Sequence, residues 1–146
     1  MKVDVVTETE IERARDEVAA FAADPDNAVR WYENIESVQW QTPPPLAIGS
    51  QLAFVSRFLG RRLAYTYELV DLVEGERLVM RTEQGPFPME TTYTFAATPS
   101  GATRVGLRNR GRPAGFSRLA AVFMGPAMRR ANRKDLAALK EILERR

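Results

Sequence analysis

The sequence predicts an α+β fold in which a curved antiparallel sheet of seven strands surrounds a long C-terminal helix, with two short helices after the first strand. Short segments of alternating polar and apolar residues recur through the middle of the chain. Turn residues such as Gly60 and Glu74-Gly75-Glu76 separate them, which is typical of consecutive antiparallel strands. After Gly115 the apolar residues recur at helical spacing up to the end.

Each element follows from a local pattern. Alternation predicts the first strand, in which Val3, Val5 and Thr7 share one face. Prolines and glycines mark connections, because proline cannot donate to a strand ladder and glycine tolerates tight turns. The predicted strands are residues 2–8, 35–41, 50–58, 61–72, 77–82, 89–96 and 103–110. The predicted helices are residues 11–23, 27–31 and 117–145, and Pro126 is expected to bend the last one.

The composition excludes several kinds of functional site. Among 146 residues there is no cysteine and no histidine, so disulfides, thiolate nucleophiles, cysteine or histidine metal sites and imidazole relays are ruled out. An all-oxygen metal site needs clustered carboxylates, whereas the acidic residues here are scattered among basic ones. We therefore expect no metal and no cofactor.

No segment approaches the roughly 20 apolar residues that cross a bilayer, and residues 1–10 are too charged for a signal peptide. These observations predict a cytoplasmic protein without integral membrane association. The length fits a single domain spanning residues 1–146. The oligomeric state is left open as monomer or homodimer.

Charge is distributed unevenly along the chain. Residues 1–48 carry 4 basic and 10 acidic side chains, whereas residues 110–146 carry 10 basic and 3 acidic ones. Arg129, Arg130, Arg133 and Lys134 are predicted on the last helix, where scattered cations usually face solvent. No aromatic side chains interleave them, so no nucleic-acid partner is expected.

Alternation also predicts which strand residues face the helix, since one face of each strand is richer in large apolar side chains. This face includes hydroxyl and amide groups, which require partners when they are buried. Convergent polar groups in an apolar cup indicate a ligand site. The predicted ligand-binding residues are Trp40, Phe54, Ser56, Tyr65, Tyr67, Met80, Thr82, Tyr93, Phe95, Asn109, Phe123, Met124 and Met128.

Some of these predictions are specific about position. Trp40 is expected to point into the cup and Trp31 is not. Met124 is expected to lie over the sheet where Tyr67, Tyr93 and Asn109 converge. The apolar lids of the cavity mouth are predicted to be Phe87 and Phe116.

Several stretches together resemble the START-like, polyketide cyclase/dehydrase (SRPBCC) superfamily, which has the helix-grip fold. The resemblance covers nearly the whole chain and implies a cup for a lipid, sterol, plant hormone, quinone or polyketide, with a minority of members acting as cyclases or dehydratases. No catalytic motif of a particular branch is present, so the catalytic residues stay unassigned. The stretches are Asp24-Pro25-Asp26-Asn27 with Arg30-Trp31-Tyr32, Gly49-Ser50, Gly85-Pro86, Gly111-Arg112-Pro113-Ala114-Gly115, and Asp135-Leu136 with Leu139-Lys140.

Three functions remain open from the sequence. The first is a carrier, sensor or sequestering protein for a small lipophilic molecule of the polyketide, isoprenoid, quinone or acyl-lipid type. The second is a cofactor-free cyclase or dehydratase. Because the predicted inward strand faces hold no carboxylate, lysine or histidine, it would act through cavity tyrosines, which are poor bases near neutral pH. The third is an interaction module that presents the basic C-terminal helix. The groups proposed for the second are Tyr65, Tyr67 and Tyr93, with Arg57, Arg108 or Glu83 near the rim.

Overall fold

The secondary structure follows the predicted order in a computed structural model that describes residues 2–84, 87–113 and 118–146. The strands are β1 (Val3–Ile11), β2 (Ile35–Trp40), β3 (Gln51–Phe58), β4 (Arg61–Val73), β5 (Arg77–Gln84), β6 (Met89–Ala97) and β7 (Thr103–Gly111). The helices are α1 (Arg15–Ala22), α2 (Ala28–Trp31) and α3 (Arg118–Glu144), and a 3₁₀ turn spans Pro25–Asn27.

The strands form one seven-stranded sheet in the order β1-β7-β6-β5-β4-β3-β2. Every neighbouring pair is antiparallel. Hairpins join the strands from β2 to β7, while β1 closes the far side of the sheet against β7. The long helix α3 packs along the sheet and contacts β1. The α+β helix-grip fold expected from the sequence is confirmed.

The boundaries differ most at the start of α1. The sequence pattern placed Ile11 at the start of this helix, but Ile11 is the last residue of β1, pairs with Thr103 and is fully buried. An apolar residue at this position fits the alternating pattern of β1 and also the first position of a helical pattern. The pairing of Ile11 with β7 shows that it belongs to the strand. Helix α3 continues through Pro126, which lies on its exposed side.

Two groups of buried side chains flank the middle of α3. In the larger one, Leu52, Leu69 and Phe95 of the sheet pack with residues of α1 and the last turns of α3. The smaller one contains Val3, Val5, Phe87, Met124 and Met128. The inner face of α3 between these two clusters lies over a space that the apolar core does not fill.

Helix α3 has 27 residues, yet neither it nor another helix in the described ranges is long and apolar enough to cross a bilayer.

Candidate functional site

A cavity of about 120 Å³ lies between the sheet and the inner face of α3. Its sheet wall comes from strands β2 to β7, whose inward residues stand next to each other because neighbouring strands pair. Phe54 lies opposite Tyr65, Met80 opposite Thr91, and Thr91 opposite Asn109. The sequence-predicted site residues that line the cavity are Phe54, Ser56, Tyr65, Tyr67, Met80, Thr82, Tyr93, Asn109 and Met128.

The prediction that Trp40 points into the cavity is wrong. Trp40 lies on the predicted face of β2, opposite Leu52, but at the end of the strand away from the cavity. There its indole N–H donates to the Asp26 carboxylate at 2.9 Å. Trp31 is closer to the site, since its ring lies 4.2 Å from that of Tyr32 and 5.8 Å from that of Tyr93 between ring centres. Both tyrosines line the cavity.

Three other predicted site residues do not line the cavity, namely Phe95, Phe123 and Met124. Phe95 points inward but joins the closed core, because the last turns of α3 cover that part of the sheet. Phe123 is 57% exposed on the outer side of α3.

Met124 is fully buried, yet it packs against Val3, Val5, Phe87 and Met128 rather than over the tyrosines. The apolar stripe of α3 is wide, and the packing of α3 against β1 turns the part that contains Met124 away from the cavity. Of the two predicted lids, Phe87 is buried and lines the cavity, while Phe116 is outside the described residues.

The aromatic rings of the sheet wall hold one another in place. Tyr65 stacks on Phe54 with ring centres 5.8 Å apart and meets Tyr67 edge to face at 5.3 Å. These are favourable geometries for aromatic pairs. The wall is therefore a rigid aromatic surface, on which the phenol oxygens mark the polar positions.

A chain of hydroxyl groups crosses the sheet wall. The Thr91 hydroxyl donates to the Asn109 carboxamide oxygen at 2.7 Å and lies 3.0 Å from the Tyr67 phenol oxygen. A threonine hydroxyl has one proton, which is used on Asn109, so Tyr67 must donate to Thr91. The Tyr65 phenol likewise donates to Ser56 at 3.2 Å. The polar groups of this wall are mostly satisfied by each other.

The helical wall contains residues that the sequence reasoning missed. Ala131, Asn132 and Asp135 lie three, four and seven residues after the predicted Met128 and face the cavity with it. Because that spacing is visible in the sequence, it could have identified them once Met128 was placed. Asn132 is 4% exposed, and its amide nitrogen has no hydrogen-bond partner among the described residues. Such a buried donor is costly unless something accepts its hydrogen bond.

Asp135 brings a carboxylate into the site, which corrects the expectation, drawn from the strand faces alone, that the cavity has none. It is 2% exposed, and one oxygen accepts the backbone N–H of Glu33 at 3.0 Å. Burial raises the pKa of this carboxyl to about 6, although the Glu33 hydrogen bond opposes the shift. Asp135 therefore changes protonation near neutral pH.

The phenols of the cavity remain neutral at physiological pH. Tyr32 and Tyr93 lie with their oxygens 2.6 Å apart, and burial raises the pKa of each above its ordinary value. Burial raises the pKa of Tyr67 as well. Neutral phenols donate and accept hydrogen bonds but do not act as bases, so a proton acceptor in this cavity would have to be Asp135.

The charge of the arginine at the rim of the cavity is paired with a carboxylate. Arg57 lines the rim, and its backbone N–H donates to the Asn34 carbonyl at 2.9 Å. Its guanidinium is 2.5 Å from the Glu36 carboxylate, which also accepts from Arg62 at 3.1 Å. In the described part of the chain, no three carboxylates come together in a way that could hold a metal ion.

Comparison with known proteins places this geometry in context. The sequence profile of a family described as polyketide cyclase / dehydrase and lipid transport matches residues 2–144. No curated protein matches the sequence. Solved structures with a similar fold include three from different organisms.

The first is the ZhuI aromatase/cyclase from Streptomyces sp. R1128, with a TM-score of 0.82, 15% identity, and coverage of 100% of this chain and 96% of that one. The second is a START superfamily protein from Mycobacterium smegmatis, with a TM-score of 0.72, 14% identity, and coverage of 97% and 94%. The third is major latex-like protein 151 from Panax ginseng, with a TM-score of 0.69, 12% identity, and coverage of 98% and 95%. At these identities the likeness shows the fold alone.

Proposed function

Because this chain belongs to the polyketide cyclase / dehydrase and lipid transport family, we propose that its cavity binds a small lipophilic molecule for which the protein is a carrier, sensor or sequestering protein. The walls are mainly aromatic and aliphatic, with a few polar groups that converge on the same space. Burial of apolar area would provide most of the binding free energy, at roughly 25 cal/mol per Å². The polar groups would fix the orientation of the ligand.

The unpaired amide nitrogen of Asn132 carries this proposal. A buried donor without an acceptor lowers the stability of the folded protein, and a purely structural core would gain nothing from it. A ligand carbonyl or hydroxyl oxygen at this point would accept its hydrogen bond. Asp135 lies one helical turn further along α3 and provides an acceptor when ionised or a donor when protonated.

The size of the cavity favours a compact ligand group. A volume of about 120 Å³ is close to that of the roughly 150 Å³ cavity that holds one benzene molecule. Most drug-sized ligands occupy about 300 Å³ or more. We therefore propose that a single ring is bound here. A larger ligand would require movement of the flexible side chains of Met80, Met89 and Met128, all of which line the cavity.

The test compares two ring-sized probes, 2′-hydroxyacetophenone and ethylbenzene, which differ in their polar oxygens. We expect Asn132→Leu to weaken binding of the hydroxy ketone by about tenfold or more, because the variant removes a buried donor. Binding of ethylbenzene should change little. Isothermal titration calorimetry measures both affinities.

Gln39→Leu is the matched control, since Gln39 is exposed on the outer face of β2. Thermal unfolding shows whether each variant is folded. Equal affinity of folded Asn132→Leu and parent for the hydroxy ketone, or no binding of either probe by the parent, would contradict the proposal.

A proton-transfer enzyme is the second candidate, and Asp135 is the observation that favours it. Its carboxylate, with a pKa of about 6, lies beside Asn132 and close to the Tyr32 and Tyr93 phenols. Asp135 would remove a proton from the carbon next to a carbonyl, while the Asn132 N–H stabilises the enolate oxygen. Cyclisation and dehydration of ketones both begin with such a step.

This second candidate predicts that the protein accelerates exchange of the methyl protons of 2′-hydroxyacetophenone in D2O, measured by NMR. Asp135→Asn should reduce the exchange to the buffer rate while the ketone still binds. Exchange that persists in Asp135→Asn would remove Asp135 from the mechanism. Binding without acceleration by the parent would leave the carrier proposal and reject the enzyme.

A further inference from the structure

The outer face of α3 combines exposed apolar and basic residues. Val122 is 56% exposed and Phe123 is 57% exposed, although large apolar side chains usually avoid such positions. Val122, Arg129 and Arg133 follow each other at helical spacing on the side of α3 away from the cavity. The exposed residues of this outer face are Val122, Phe123, Pro126, Arg129, Arg130, Arg133 and Lys134.

The cations of this face border a solvent-open groove of about 790 Å³ between β1 and α3. The groove also contains Lys2, and its acidic residue Asp4 is engaged in an ion pair with Arg108. Among the described residues, no carboxylate lies within ion-pair distance of Arg130 or Arg133. Since residues 118–134 of α3 include no Asp or Glu, the positive charge of this face is largely uncompensated.

The remaining cations have only weak partners. Lys134 is 4.0 Å from Glu33, and both side chains are more than half exposed. Arg129 donates to the backbone carbonyl of Val6 at 3.2 Å, which leaves its charge in place. Exposed pairs at such distances contribute little free energy, so these side chains can reorient toward an anionic surface.

We propose that the outer face of α3 docks on a membrane surface that contains anionic lipids. Phe123 and Val122 would enter the interface between headgroups and acyl chains, while Arg129, Arg130 and Arg133 contact lipid phosphates and carboxylates. A nucleic acid duplex would use the charge but not the exposed phenylalanine and valine, because its bases are already stacked on each other. The combination of both on one helix therefore favours a lipid surface.

This docking is independent of what the cavity holds. The inner face of the same helix lines the cavity through Ala131, Asn132 and Asp135. A protein held on a bilayer by the outer face of α3 would be close to the phase in which lipophilic molecules accumulate.

Co-sedimentation with vesicles tests the proposal with the full chain. The parent should bind vesicles of phosphatidylcholine mixed with phosphatidylserine, and should not bind phosphatidylcholine alone. Raising the salt concentration should weaken the binding, because exposed charges are screened. The double variant Arg130→Glu/Arg133→Glu should lower vesicle affinity by at least about tenfold, and Phe123→Ser should lower it measurably at every salt concentration.

Arg104→Glu and Ile48→Ser are the controls, because both residues are exposed on other surfaces. Loss of affinity in these controls equal to that of the α3 variants would overturn the assignment. So would the absence of binding to the mixed vesicles. Tight binding of duplex DNA or polyglutamate that Phe123→Ser leaves unchanged would replace the membrane with a nucleic acid or an acidic protein, respectively.

Discussion

Replacing Ala131 with leucine is expected to abolish binding of a ring-sized ligand while the protein stays as stable as the parent or becomes slightly more stable. Ala131 lines the cavity, so the added carbon atoms would occupy the space that the ligand needs. Filling an empty apolar space buries more apolar surface without displacing neighbours. Calorimetric titration with 2′-hydroxyacetophenone and thermal unfolding measure the two effects.

Met124→Trp is the matched comparison, because Met124 is on the same helix but is fully buried in the cluster with Val3, Val5, Phe87 and Met128. Overpacking of such a site typically costs about 1–3 kcal/mol. In a domain of this size each kcal/mol lowers Tm by roughly 2–4 °C. A destabilised Ala131→Leu variant together with a tolerated Met124→Trp variant would show that the free space lies on the Met124 side of α3.

Asp135→Asn is expected to remove a pH dependence of stability between about pH 4 and pH 6. The Asp135 pKa is raised by burial from 3.8 to about 6 in the folded protein. In this range the folded state binds a proton that the unfolded state has lost, so this residue makes stability decrease as pH rises. The free energy of unfolding of the parent relative to the variant should therefore fall by about 2–3 kcal/mol between pH 4 and pH 7.

Urea unfolding at several pH values measures this difference. The comparison with the variant is necessary because Glu90 and Glu144 have lowered pKa values and change stability in the opposite direction. Asp16→Asn is the control, since the Asp16 side chain is 92% exposed. A parent-to-variant difference that stays constant over this range would show that the Asp135 carboxyl titrates as it does in the unfolded chain.

The faces of the strands were predictable from the sequence. Tyr67, Tyr93 and Asn109 were each placed inward by alternation, and all three line the cavity. Successive side chains of a strand point to opposite faces of the sheet. A small error in where the strand begins or ends therefore does not change which of its residues face inward. The same reasoning fixed the order of elements and thereby the fold.

The alternating pattern did not predict which of the inward-facing residues along a strand reach the cavity. Trp40 and Phe95 lie on the correct face, but they belong to parts of the sheet that other elements cover. Which strand ends are covered depends on where α1 and the last turns of α3 pack. Those contacts join residues far apart in the sequence, and no local pattern contains them.

The fold, the lack of thiol and imidazole side chains, and the inward face of each strand all follow from patterns in the amino-acid sequence. Long-range packing, and no local pattern, places Asn132 and Asp135 beside the cavity tyrosines in place of Phe123 and Met124. A helix repeats every 3.6 residues, so a wide apolar stripe is compatible with several rotations about the helix axis. Contact with β1 selects one of these rotations, which buries Met124, exposes Phe123 and turns the polar residues toward the cavity.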